Sequence, residues 1–436
     1  MIQSPCVKVL IIMIGMVILV NESKEEEQYG IVRIPFIVAT DQEFLVSPFQ
    51  IGTPEQKMNL VLDIGSERTW LSKDIYNKSA SSSFQSLDTP DNLSNELFSI
   101  SGTVSTDHFS FGDTEEDKKV LKAFQFVYVD NIRGNDNIKG VLSFGREFDT
   151  KRFSIVYKLS SVSITFYNMI QVKFTDRSQG VITIGDCSDE MRSKEHMKHQ
   201  CNHVQGSKNI KWACELTHTF VGELDGEPYN DQYSRESGVI IKDERSRKIN
   251  TINKPVDFET VYNKMSVPKD YLDHLKKNYF LNSNGDKICS LQEGSISYFT
   301  CSSSEVAQLK RLNFVFTKKM ALSFTPDKIF ECSGSQCKSL VVHDNKFGDK
   351  YVFGLPMFRN YIVDLDYNVP KINFYGEDNI SYVQMPVEGE FSFGKFFLIL
   401  FIILVCILLL GIGVIYLLRN KNKARKKILD QIYENF

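Results

Sequence analysis

Two stretches about 180 residues apart, each an apolar strand running into an acidic loop, constrain the fold of this chain more than any other feature. The first reads Val61-Leu62-Asp63-Ile64-Gly65-Ser66, with Ile51-Gly52-Thr53-Pro54-Glu55-Gln56 before it and Thr69-Trp70-Leu71 after it. The second reads Val239-Ile240-Ile241-Lys242-Asp243-Glu244-Arg245-Ser246. A further pair of short apolar runs into turns, Gly140-Val141-Leu142-Ser143-Phe144 and Val352-Phe353-Gly354-Leu355, repeats the relation in each half. Such a duplication predicts two similar β lobes meeting at a cleft, with the acidic loops facing each other across it.

The segments between these landmarks are short β-branched and aromatic runs punctuated by Gly, Asn, Asp and Ser, the pattern of an all-β protein. Strands are predicted at 44–51, 58–63, 105–111, 124–129, 164–166, 181–184, 210–216, 361–365 and 371–375. Helices are predicted only at 257–264 and 269–278. The Ser- and Asp-rich stretches 77–95 and 114–119 read as exposed loops. A chain of 436 residues with 42% hydrophobic content can bury a large core. Its net charge of -3 offers no basic field for nucleic acid.

Both ends carry apolar segments. Residues 1–20 have the shape of a signal peptide, with an apolar stretch at 7–20 behind Lys8, and the mature chain is expected to begin at about residue 29. Residues 396–418 form an apolar run of 23 residues, enough for a transmembrane helix. Arg419, Lys421, Lys423, Arg425, Lys426 and Lys427 follow at once and place the tail 419–436 in the cytoplasm. The expected protein is therefore a single-pass type I membrane protein of the secretory or endosomal pathway or cell surface, its bulk lumenal or extracellular. Its lobes are expected at 29–185 and 186–385.

That compartment favours disulfides among Cys187, Cys201, Cys214, Cys289, Cys301, Cys332 and Cys337, an odd number that leaves one over. Asn77, Asn92 and Asn379 stand in N-x-Ser sequons, which suit a lumenal glycoprotein. His196, His199, Cys201 and His203 are zinc-binding types at a spacing that fits no standard site, and Cys187 and Cys214 are nearby disulfide partners for Cys201. A disulfide-linked loop is the preferred reading, with no metal and no cofactor expected. The tail ends Tyr433-Glu434-Asn435-Phe436, a Tyr-x-x-bulky signal of the kind clathrin adaptors read.

The block from Ile51 through Asp63-Ile64-Gly65-Ser66 to Trp70 resembles the signature of the pepsin family of aspartic peptidases, D-T-G-S with Trp seven residues after the Asp. Val181-Ile182-Thr183-Ile184-Gly185 resembles the strand that closes the first lobe in that family. The segment from Val352 to Tyr361 resembles its L-G-x-x-F-x-R-x-Y, so the resemblance spans 44–375. It implies a bilobal pepsin-like fold and a hydrolase that cuts polypeptides with two carboxylates, Asp63 and Asp243, holding a water between them. Gly65, Ser66 and Trp70 would contact substrate, and Cys301 would bond Cys337 or Cys332.

The departures from that pattern bear on the chemistry. Ile64 replaces the hydroxyl residue that bonds the opposite loop. In the second lobe two registers fit, one setting Lys242 and the other Asp243 opposite Asp63. A lysine would turn a proton-sharing dyad into a salt bridge; Asp243 would bring Arg245 into the glycine position. Counting back from Ser99-Ile100-Ser101-Gly102 puts Asn95 where the family's hairpin flap carries Tyr. The resemblance thus implies an aspartic endopeptidase with its catalysis impaired, or an inactive protein that holds peptides or partners in the same cleft.

Overall fold

The computed structural model describes residues 30–376 apart from 40–43, 113–117, 136, 147–151, 166, 186–197, 203–210, 222–247, 282–285 and 318–319. The molecule is mostly strand and bilobal, as the alternating patterns require. Val32–Val38, for instance, buries every second residue at Val32, Ile34 and Phe36, the period that puts one face of a strand on a core.

A 13-stranded sheet builds the first lobe and continues into a joining layer. In that layer Lys198–Asn202, Lys371–Gly376 and Tyr361–Asp366 come from the later half of the chain. They run beside Met169–Phe174, Gln179–Ile184 and Val32–Val38 from the earlier half. The seam between the halves is the antiparallel pairing of Val363 with Val172 and Leu365 with Ile170. An 11-stranded sheet builds the second lobe. Wholly buried Leu62, Phe144, Trp212, Phe258, Phe353 and Phe374 belong to one apolar core that runs through both.

Each lobe repeats one local motif. In the first, Gln56–Asp63 runs parallel to Gly140–Ser143, which is antiparallel to Trp70–Ser72. In the second, Lys248–Phe258 runs parallel to Tyr351–Phe353, which is antiparallel to Met265–Ser266. The apolar pairs singled out at Val141 and Val352 are the central strands of these two units.

Three predicted elements differ. Residues 257–264 are not a helix: the strand Lys248–Phe258 ends there and the chain turns through a loop. Residues 77–95 are not all loop, because Gln85–Ser94 is the outer strand of a long hairpin with Phe98–Phe111. That strand is mostly exposed, so it lacks the apolar alternation by which strands are recognised. No strand forms at 164–165, residue 166 lying outside the described residues, and the neighbouring strand begins at Met169. The helix Lys269–Asn278 forms as expected, burying Tyr271, Leu272 and Leu275, with Asp270 in its first turn and Lys276 and Lys277 in its last.

The disulfides are Cys201–Cys214, Cys289–Cys301 and Cys332–Cys337. The expected bond from Cys301 to Cys337 or Cys332 is corrected: Cys301 lies opposite Cys337 across paired strands, but each is bonded to a partner nearer in sequence. Cys332 and Cys337 face each other within one tight hairpin, so closing their loop costs less chain entropy than closing the longer one to Cys301. Cys187 and Asn379 lie outside the described residues, as do the segments 1–29 and 377–436. No helix among the described residues is long and apolar enough to cross a membrane.

Candidate active site in the cleft

Strand register identifies which residue faces Asp63. Val141 pairs with Val61 on one side and with Trp70 on the other, and Asp63 stands two residues beyond Val61. In the second lobe Val352 pairs with Asp257 and with Ser266, and two residues beyond Asp257 stands Glu259. Glu259-Thr260-Val261 is therefore the second-lobe counterpart of Asp63-Ile64-Gly65. The Lys242 and Asp243 positions lie outside the described residues, and the acid brought against Asp63 is Glu259. Sequence reading missed it.

The two loops meet closely. A Cβ added to Gly65 would lie 2.8 Å from Glu259 Oε2, so a side chain there would push this carboxylate, one methylene longer than aspartate, out of its position. The Thr260 hydroxyl donates to Leu62 O at 2.7 Å and accepts from Ile64 N–H at 3.2 Å, tying the second-lobe loop to the first. Ile64 has no hydroxyl to return the bond and is buried in the core instead. Val261, at the glycine position, packs into an apolar cluster otherwise made of first-lobe residues, including Trp70 and Phe98. One reciprocal polar contact has thus become an apolar one.

Asp63 is almost wholly buried and accepts a bond from Gly65 N–H at 2.8 Å. Burial, followed by the Glu259 charge, pushes its carboxyl up to about 7, against the pull of the backbone bonds and Lys211. Burial likewise raises the Glu259 carboxyl, against the opposing pull of a lysine. Lys211, 5% exposed, places its ammonium 2.5 Å from Glu259 Oε1. Although burial works against its charge, Glu259 and then Glu96 outweigh it and hold Lys211 protonated.

Glu96 comes from the tip of the hairpin flap. Asn95 N–H donates to Phe98 O at 2.9 Å, and the Asn95 side chain accepts from the Leu97 and Phe98 amides at 2.8 and 2.9 Å. This tight turn presents Glu96 and Leu97 at its apex. Glu96 Oε1 lies 2.8 Å from Lys350 Nζ and Oε2 lies 3.5 Å from Lys211 Nζ. Burial pushes the Glu96 carboxyl up, but Lys211 and then Lys350 outweigh it and hold it down at about 2. Leu97 packs on the second-lobe cluster of Tyr262, Val342, Phe347 and Val352. The flap is shut, and the cavity left among Asp63, Glu259, Lys211 and the flap tip is about 20 Å³, room for about one water molecule.

Other expected site residues divide. Gly65 lines the cavity. Ser66 is buried beside it and structural: its carbonyl accepts from Ser143 Oγ at 2.7 Å, its hydroxyl donates to Arg68 O, and its amide bonds Asp63. Trp70 does not reach the cleft; it is wholly buried with its ring edge-on to Phe98, 5.2 Å between centroids, and supports the flap from below. Among the described residues no cluster of His, Cys, Asp and Glu has the makings of a metal site. Cys201 is tied to Cys214, while His196 and His203 lie outside them.

The sequence model of the eukaryotic aspartyl protease family matches residues 45–375. This chain belongs to that family. Among solved structures, the aspartic proteinase from Irpex lacteus is similar in fold, with 16% sequence identity and a TM-score of 0.61 over 80% of this chain and 97% of that one. Basic 7S globulin from soybean is similar to the same degree, with 11% identity and a TM-score of 0.62 over 80% of this chain and 95% of that one. No curated protein matches this chain.

Proposed function

We propose that this family member is impaired as a peptidase and uses its cleft to hold an extended polypeptide. The observation that carries the reading is the Lys211 ammonium 2.5 Å from Glu259. Two-carboxylate hydrolysis needs one ionised group to take a proton from water and one protonated group to give a proton to the peptide. Burial raises the Glu259 carboxyl, but with Lys211 attached it is a weaker base than the same buried carboxylate would be alone, because protonating it must first break a charge-assisted bond. General base action is commonly worth about 10²–10⁴-fold, and the missing flap tyrosine removes a further contact to substrate.

A second reading has one observation in its favour. Asp63 is pushed up to about 7, Lys211 favours the ionised form of Glu259 against its burial, and Thr260 keeps the two loops in register. That is the proton inventory of a dyad, so slow hydrolysis follows if a substrate displaces Lys211. Cleavage of an unfolded protein between about pH 3 and 7 decides between them, comparing wild type with Asp63→Ala and Glu259→Ala. Turnover no greater than that of the two variants is the expected result. Turnover that either substitution abolishes would restore the enzyme.

The anchoring expectation is part of the same proposal. The apolar run 396–418, the basic residues behind it and the disulfides together support a single-pass protein with its lobes in an oxidising compartment. Tyr433 would then lie where a clathrin adaptor reads it. Protease protection of a C-terminal epitope in sealed vesicles tests the topology, and a tail degraded from the lumenal side would overturn it.

A further inference from the structure

The closed cleft contains a feature that neither a peptidase nor an open groove requires: two lysines of the second-lobe half converge on a single carboxylate supplied by the flap. Lys350 takes one oxygen of Glu96 and Lys211 the other, at 2.8 and 3.5 Å. Lys211 stands just ahead of the strand Trp212–Val221, and Lys350 just ahead of Tyr351–Phe353. Neither belongs to the hairpin. Glu96 sits on the apex of the hairpin between Gln85–Ser94 and Phe98–Phe111, and a cavity of about 20 Å³ admits no peptide until that apex lifts.

Lifting withdraws Glu96 and leaves both ammonium groups facing the cleft without it. Lys211 keeps Glu259 at 2.5 Å but is largely buried, so water replaces its second carboxylate poorly there. We propose that Lys211 and Lys350 form a carboxylate-binding subsite, filled by Glu96 when the flap is shut and by a carboxylate of the bound polypeptide when it is open. The inference rests on the reading of the cleft as a peptide-holding groove and deepens it by naming the chemistry the groove selects. Glu96 is in effect a built-in competitor, and the flap opens for ligands that replace its charge.

The test uses the full-length chain in detergent and three labelled heptapeptides alike except in charge. One is Ala-Val-Phe-Glu-Phe-Val-Ala with both ends blocked, the second has Gln for Glu, and the third has Gln with a free C-terminal carboxylate. Binding is read by fluorescence anisotropy to wild type, Glu96→Gln and the double variant Glu96→Gln/Lys350→Gln. Charge-assisted hydrogen bonds lost or gained at such a site correspond to about tenfold or more in affinity. The Glu peptide should therefore bind Glu96→Gln about tenfold tighter than the Gln peptide, and about tenfold tighter than it binds wild type.

The second variant should erase most of that preference, and because Lys350 is partly exposed its loss leaves the fold intact. If the preference belongs to the third peptide instead, the subsite stands and reads a chain terminus. Equal binding of all three to Glu96→Gln would overturn the subsite while leaving the peptide-holding reading in place. No binding of any peptide to Glu96→Gln, with hydrogen exchange showing its hairpin open, would overturn both.

Discussion

The two loops that meet in the cleft have kept complementary halves of one motif. The first keeps the short carboxylate and the glycine, in Asp63 and Gly65, but has Ile64 where the hydroxyl belongs. The second keeps the hydroxyl, in Thr260, but has Glu259 for the carboxylate and Val261 for the glycine. Thr260 makes both of its interlobe bonds, and Ile64 and Val261 bury what the first loop no longer bonds. The bonds that hold the lobes in register and the groups that do chemistry are therefore separable. Here the first set remains sufficient while the second has been drawn into an ion-paired network with Lys211, Glu96 and Lys350.

The strongest way to break this comparison is to remove Lys211. Lys211→Met leaves Glu259 buried beside Asp63 with no cation, and breaking a buried pair from one side costs about 3–5 kcal/mol. Urea unfolding at neutral pH should show a loss of that size, with most of it recovered in Lys211→Met/Glu259→Gln, where neither charge remains. If the single variant is as stable as wild type, the pair does not govern the second loop.

Next comes the pH dependence of the first loop. Asp63 is held at about 7 in the folded protein against an ordinary 3.8. A raised carboxyl favours the folded state while both forms are protonated and loses that advantage as pH climbs from about 4 through about 7. At roughly 1.4 kcal/mol per pH unit the whole window is worth on the order of 4 kcal/mol. Asp63→Asn should flatten the fall of stability across it. A fall that persists unchanged in Asp63→Asn would assign the titration to another group.

Thr260 is the smaller structural term. Thr260→Val strands the Ile64 amide and the Leu62 carbonyl in a buried site, for about 1–3 kcal/mol in all. Thr260→Ser should restore most of it. If Val and Ser behave alike, packing rather than the hydroxyl holds the loops in register.

Why the first loop was legible and the second was not follows from their residues. Asp63 ends a run of apolar residues and begins a turn, so strand, loop and acid announce themselves together, and the fold from 44 to 375 follows from that block. The strand before Glu259 reads Asn250-Thr251-Ile252-Asn253-Lys254-Pro255-Val256-Asp257-Phe258, polar and interrupted by Pro. Phe258, Val261 and Tyr262 then fall at i, i+3 and i+4, which imitates a helix face. The apolar run at Val239-Ile240-Ile241 drew the register instead. Lys211 and Glu96 are 115 residues apart, and nothing local in either marks a partner that only the closed hairpin brings near. The duplication itself pointed toward Glu259: Asp63 precedes Val141 by 78 residues, and Glu259 precedes Val352 by 93, a closer match than the 109 of Asp243.

The last and smallest stability effect is the most informative about motion. Glu96→Gln removes one carboxylate from a pair with the partly exposed Lys350, worth about 0.2–1 kcal/mol, and from a longer contact with the buried Lys211, which keeps Glu259 as its nearer partner. Global unfolding should barely shift, because the Leu97 contact with Tyr262 and Phe347 remains. Local opening should shift more, since the hairpin is joined to the second lobe through its apex and needs no global unfolding to lift. Amide exchange should quicken at 89–94 and 98–104 and stay level in the strand Gln56–Asp63. In wild type the same quickening should come with acid. The Glu96 carboxyl sits at about 2 against an ordinary 4.5, so its share of the latch is intact above about 4.5 and is lost as pH falls toward 2. Exchange in Glu96→Gln, corrected for the intrinsic rate, should lack that acid limb. If both proteins show the same flap exchange at every pH, Leu97 alone holds the flap, and the two loops differ in chemistry without the flap taking part.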